Sequence, residues 1–173
     1  MSTAVELVHR MHEHRLWVRI RLIEALGPLT EAQRTKVFPM GPGSLHRILI
    51  HMYGAELVWL EALLGTPSPR FPNDDEFTDF AKLLHAWAAL DLRWSEYLES
   101  LTPAELDRLV VRSNRAGVPH TTNVQEILIH VCTHGFYHTA QAVNMLRQLG
   151  VTPLPETNFI TLARERHGRA QGA

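Results

Sequence analysis

The chain has a single cysteine, Cys132, in 173 residues, so no disulfide can form within it and a cystine-stapled fold is excluded. A lone thiol also fits a reducing compartment. No glycine-rich phosphate loop is present: "GPGS" at positions 41–44 has too few glycines and follows no strand pattern. An excess of one charge is missing as well. Seventeen basic residues face 18 acidic ones, with no basic stripe or basic–aromatic interleaving, which argues against nucleic acid as the main partner. The longest apolar stretch, Leu45 to Leu64, contains His46, Arg47, His51, Glu56 and Glu61, which a membrane span would not tolerate. Near the N-terminus Glu6, His9 and Arg10 interrupt anything resembling a signal-peptide core. These absences predict a soluble, cytoplasmic protein of one domain, residues 1–173, long enough to bury a real core.

What the sequence does contain is helical periodicity. Four long segments carry it, and no strand-like alternation of comparable length competes. The first runs from about Ala4 to Leu26 and stops at Gly27-Pro28, with Val8, Met11, Val18, Leu22 and Ala25 as its apolar stripe and Arg15 as the interruption. The second begins near Ser44, a plausible N-cap, and ends at Gly65. The third covers about Glu76 to Ser100. Phe77, Phe80, Leu84, Trp87, Trp94, Leu98 and Leu101 share one side of it, and a small rotation to Leu83, Trp87, Leu90 and Trp94 removes Asp91 from the apolar face. The fourth opens at Thr122, with Thr122 and Gln125 in a capping-box pattern, and ends at Gly150. A short C-terminal helix over about Glu156 to Arg166 and a frayed end complete the chain.

Four such helices predict an all-α four-helix bundle. Between the second and third helices lies "TPSPRFPNDD", whose prolines favour an extended chain. At about 3.1 Å per residue these ten residues span about 31 Å, close to the roughly 32 Å length of a 21-residue helix. The linker can therefore just climb back along the bundle and start the third helix parallel to the second; a simple antiparallel turn would not need it but is not contradicted by it. "RLVVRSNRAGVPHTT" has the composition of a short hairpin.

Three histidines at four-residue intervals, His130, His134 and His138, mark the fourth helix. With 11 histidines in the chain, chance alone predicts roughly 0.7 such pairs, so spacing by itself decides nothing. Direction adds weight. The core stripe reads Ile127, Val131, His134, His138, Ala142 or Gln141, Met145 and Leu149, which puts two imidazoles where apolar side chains belong. Residues four apart project from one face and can serve one metal ion. His130 lies to the side of that face. In the second helix His51 occupies the stripe Ile48, His51, Ala55, Val58/Trp59 and Ala62, while His46 sits in the first turn, nearer solvent. Unsatisfied imidazoles in a core are costly, so His51, His134 and His138 read either as three ligands of one metal or as hydrogen-bonded core residues.

Other constellations are weaker. Two Glu-x-x-His motifs would be needed for a di-iron centre, and only Glu6/His9 fits. "MHEHRL" lacks the second histidine of a zincin helix. His9, His12 and His14 read as a solvated face, and Cys132 as a buried structural thiol. Arg15 and Asp91, at mid-bundle, are candidates to line a pocket.

"GSLHRILIHMYGAELVWLEALLG" resembles the second helix of the DinB/YfiT-like superfamily, with an inward histidine followed by an acidic residue and a tryptophan. "TTNVQEILIHVCTHGFYHTAQAVNMLRQLGVTPLP" resembles its fourth helix, including His-x-x-x-His, the tyrosine before the last histidine and the glutamine after it. The likeness covers nearly the whole chain. It implies a long crossover between helices two and three, hence an up-down-down-up order, a homodimer, and one divalent metal per chain, nickel or zinc, held by His51, His134 and His138. Known activities of the superfamily imply an enzyme that uses a low-molecular-weight thiol as cosubstrate, a thiol S-transferase in detoxification or stress response. A metal-dependent hydrolase and a non-catalytic metal-binding scaffold are the alternatives. Glu56, Tyr137 and Gln141 are the candidate pocket residues. Two positions depart from the superfamily's pattern: Thr139-Ala140-Gln141 stands where Arg-Gly-Gln is common, and Asn158 where an aspartate is common.

Overall fold

The computed structural model describes residues 3–66, 68–114 and 116–171, with side chains as far as Gly168. Among these are seven α-helices, one 3-10 turn and a two-stranded sheet. Helix α1 (Ala4–Leu26) opens with a capping box: the Thr3 hydroxyl accepts from the Glu6 amide, and the Glu6 carboxylate accepts from the Thr3 amide. Its buried residues are Val8, His12, His14, Arg15, Val18, Arg19, Leu22 and Leu26. The face keeps Val8, Val18 and Leu22 of the apolar stripe expected and is widened by polar members that find partners inside the bundle. A short α2 (Glu31–Thr35) precedes α3 (Leu45–Leu63), whose first turn is capped by the Ser44 hydroxyl accepting from the Arg47 amide.

After α3 the chain forms a 3-10 turn, Asp74–Phe77, and restarts as α4 (Phe80–Glu99). The helix expected from Glu76 breaks here because Asp79 caps a new one, accepting from the Ala81 amide at 2.8 Å. The face α4 buries is Leu83, Trp87, Leu90, Trp94 and Tyr97, the rotated stripe. Helix α5 (Pro103–Asp107) leads into strands β1 (Leu109–Ser113) and β2 (Pro119–Asn123), an antiparallel hairpin in which Val110 pairs with Thr122 and Arg112 with His120. Thr122 is thus held in the ladder. The cap of α6 (Val124–Gln148) passes one residue on, to Asn123 with Glu126. Gly150, at φ 78°, takes the left-handed backbone that closes α6. Helix α7 (Phe159–Gln171) starts later than expected, because the Glu156 carboxylate accepts from the Thr157 and Asn158 amides, and it runs on through the segment expected to fray.

The four long helices α1, α3, α4 and α6 share one apolar core. Along α3 and α4 the contacts ascend together: Tyr53 and Glu56 meet Trp87, and Glu61 meets Arg93. Between α3 and α6 the order reverses, with His51 beside His138 and Trp59 beside His130. No helix is long and apolar enough to cross a membrane among the described residues.

Candidate metal centre

Ile48, Leu49 and Met52 on α3, with Ile127, Leu128 and Val131 on α6, are at most 3% exposed, and their packing presses the two helices together. The histidines interleaved with them are carried into the same seam. His51 from α3 meets His134 and His138 from α6, with one ring nitrogen of each lying within 4.8 Å of the others. His51 Nε2 and His134 Nε2 stand 3.1 Å apart. Ring centroids are 5.0 Å apart for His51–His134 and 4.5 Å for the other two pairs. His138 is buried, and the other two are half-buried.

His138 is oriented from behind. His138 Nδ1 donates to Gln141 Oε1 at 2.9 Å, which leaves its Nε2 unprotonated and free to accept. Gln141 is in turn backed by Gly41. At φ 50° that residue needs left-handed backbone, and a Cβ there would lie 2.2 Å from Gln141 Oε1. Burial pushes His134 down to about 4, helped by the neighbouring His138, His51 and His130. Burial also lowers His138, against the opposing Gln141 bond. Both are therefore neutral near pH 7, the form that binds a metal.

These residues fit a divalent cation. Two nitrogens each about 2.0–2.1 Å from one ion stand about 3 Å apart, as His51 and His134 do. A pair of acceptor nitrogens facing each other without a shared cation or proton would be unfavourable. Phe71, from the linker between α3 and α4, places its ring 5.7 Å from that of His51. It rests on Gly54, where a Cβ would fall 2.5 Å from the ring.

Beneath the triad lies a layer of buried charge. Glu56 accepts from Arg19 Nη1 at 3.0 Å and from Trp87 Nε1 at 2.9 Å. Arg15 Nη1 reaches 2.7 Å from the same carboxylate oxygen, in an ion pair too poorly aligned for a directional hydrogen bond. Arg19 also binds Asp91. Burial raises the Glu56 pKa, but Arg15, Arg19 and the Trp87 bond outweigh it, and the carboxyl stays ionised.

The sequence-derived candidates thus fall in different places. His51, His134 and His138 come together; Glu56 lies one turn from His51 with its carboxylate committed to two arginines and a tryptophan. Tyr137 is exposed, its ring 5.1 Å from that of His138. Gln141 holds His138. His130 lies 5.6 Å from His134 by ring centroids, and His46 is bound to the Phe77 carbonyl at 2.6 Å, outside the cluster. Asp91 is at the bundle's edge as the partner of Arg19. The expectation of a solvated His12 and His14 is overturned: they are 3% and 6% exposed. Arg19, Phe71 and Gly41 escaped notice. A signal for Arg19 did exist, since Arg15 and Arg19 recur at helical spacing on the face that carries Val8 and Leu22.

Together the fold and this cluster define a class: a helical bundle whose seam carries a three-histidine site able to hold a divalent metal. The model of the DinB family matches residues 1–167, and the chain belongs to that family. Protein DinB of Bacillus subtilis (strain 168) is 29% identical over 160 residues, covering 87% of this chain and 90% of that relative. Among solved structures, YfiT from Bacillus subtilis, described as "a probable metal-dependent hydrolase with an unusual four-helix bundle topology", superposes with a TM-score of 0.65 at 16% identity. That match covers 88% of this chain and 91% of YfiT.

Proposed function

We propose that the protein is a metal-dependent enzyme that binds one divalent ion, nickel or zinc, at His51, His134 and His138 and transfers a low-molecular-weight thiol to an electrophile. Three imidazoles suit either ion and leave positions open for a ligand from solution. When bound, the ion would lower the pKa of a coordinated thiol or water. The observation that favours thiol is the engagement of Glu56. The carboxylate nearest the cluster in sequence is held by Arg15, Arg19 and Trp87, so it cannot shuttle a proton from a nucleophile to a leaving group. A thiol, with a pKa of about 8.5, ionises near neutrality with little help, whereas water needs a far larger shift and usually a base. Hydrolysis is the second reading, supported by the description of YfiT. Within the same proposal the bundle is up-down-down-up with a crossover after α3, which the ascending contacts of α3 with α4 support.

The test begins with elemental analysis of untagged protein. His51→Ala, His134→Ala and His138→Ala should each lose most of the metal, while His46→Ala and His130→Ala retain it. Loss from all five alike would sink the assignment. Loaded protein should then consume an electrophile only with a thiol present. Ester cleavage without thiol would move the assignment to hydrolase, and bound metal with neither reaction would leave a scaffold.

A further inference from the structure

Among the described residues Arg112 is the one arginine of the hairpin's inner face. Strand alternation turns Leu109 and Val111 to solvent and Val110 into the core, so Arg112 follows Val110 inward, towards α3. Its guanidinium lies over the Trp59 ring at 4.6 Å. Trp59 packs edge-on against His130 at 5.2 Å, and His130 lies 5.6 Å from His134. Three ring contacts therefore connect the guanidinium to the triad along one continuous wall. Arg112 is half-buried, its Nε is enclosed without a hydrogen-bond partner, and no carboxylate pairs with it among the described residues. Burial depresses its pKa with no acid opposing the shift, and its charge reaches His130.

Among the described arginines an enclosed nitrogen without a hydrogen-bond partner occurs at Arg15 and Arg112, and Arg15 has the Glu56 carboxylate beside it. Arg15, Arg19, Arg21, Arg47, Arg70, Arg93, Arg108 and Arg166 all have carboxylate partners. A partly desolvated guanidinium, fixed by stacking and lacking an anion, is a ready fork for a planar oxyanion. Three neutral imidazoles would also leave the charge of a divalent ion uncompensated, so the whole wall is electropositive once loaded.

We infer that Arg112 is a specificity-determining residue that takes a carboxylate of the substrate or cosubstrate, while the reacting end of the same molecule lies at the histidine triad. The inference rests on the metal-site reading for the second half of that statement, and its test separates the two. In metal-free, ¹⁵N-labelled protein, the Arg112 Nε–H resonance, assigned by its absence from Arg112→Lys, should shift saturably with propionate and not with methyl propionate. In zinc-loaded protein, calorimetry compares ω-mercaptoalkanoates of increasing length with their methyl esters. At least one acid should bind about tenfold tighter than its ester, as a charge-assisted pair allows. That preference should vanish in Arg112→Gln and return in part in Arg112→Lys, with zinc content unchanged in both. A merely structural Arg112 would alter melting temperature without moving the acid-to-ester ratio. No Nε shift with propionate, parity of acid and ester in wild type, or a preference that survives Arg112→Gln overturns the inference. Should zinc fail to bind, the metal reading fails and the metal-free resonance decides Arg112 alone. Should Arg112→Gln fail to fold, that same resonance and the lysine variant decide.

Discussion

Two groups of buried or half-buried histidines sit in this bundle, and they meet opposite kinds of partner. On α1, His12 Nε2 donates to the Leu128 carbonyl at 3.2 Å and His14 Nε2 donates to the Thr157 carbonyl at 2.9 Å. Their rings pack against Trp94 and Phe136. A carbonyl only accepts, so these imidazoles must present N–H groups, and each pins α1 to a distant piece of backbone. Across α3 and α6 the triad's nitrogens face other nitrogens, an arrangement that calls for a shared cation or proton. The environment separates the two: partner chemistry distinguishes a latch from a candidate ligand. Between them runs the ion-pair layer, with Arg15 felt by His12 and Glu56 by His134.

Removing that layer should have the largest effect. Glu56→Ala strands the buried Arg15 guanidinium and leaves Arg19 with Asp91 alone, and we expect a loss of about 3–5 kcal/mol in denaturant unfolding, with the two groups of histidines disturbed together. A loss below about 1 kcal/mol would mean that the layer is not a buried network at all. Next comes a direct contrast. His12→Phe removes a bond to the Leu128 carbonyl, which keeps its helical partner, and should cost about 0.5–1.5 kcal/mol while metal content by elemental analysis stays at the wild-type level. If His12→Phe emptied the site, the division into latches and ligands would collapse.

The smallest effect is on pH dependence. Burial, joined by the Arg15 charge, holds His12 well below its usual value, and burial lowers His14 as well, against its Thr157 bond. His134 lies at about 4. These groups stay neutral in the fold while the unfolded chain takes up protons near its ordinary pKa of about 6.5. Acid therefore favours the unfolded state. Metal-free protein should keep its full contribution from them above about 6.5 and lose it progressively as pH falls towards about 4. Thermal melts across that window check the sign, and a melting temperature that rises on acidification would contradict it.

Much of the architecture could be read from the residues, and the failures are local. Apolar stripes and caps placed the long helices, and the hairpin's composition located its strands. The capping box at Thr122 is one residue early: Asn123, the last residue of β2, caps the helix with Glu126, and local sequence does not distinguish the two adjacent boxes. Buried polar residues were hardest. Hydrophobic periodicity treats His12, Arg15 and Arg19 as interruptions. Their partners, Leu128, Glu56 and Asp91, lie far away in the chain, so the apolar stripe finds Val8, Val18 and Leu22 but misses the polar half of the buried α1 face. The triad escaped that blindness because two members share one helix and the third recurs on a stripe of its own. Arg112 gave no signal: what marks it is the absence of an anion, which only three dimensions reveal.

The Phe71 ring seated on Gly54 has a consequence for how such a bundle can change. The three histidines belong to α3 and α6, whose register the whole core enforces, whereas the aromatic cover beside His51 comes from a connecting segment that crosses a helix at its one side-chain-free step. Cover and histidine cluster are thus held by separate mechanical parts. The cover can be re-cut by altering the connector, leaving the nitrogens where the core has set them.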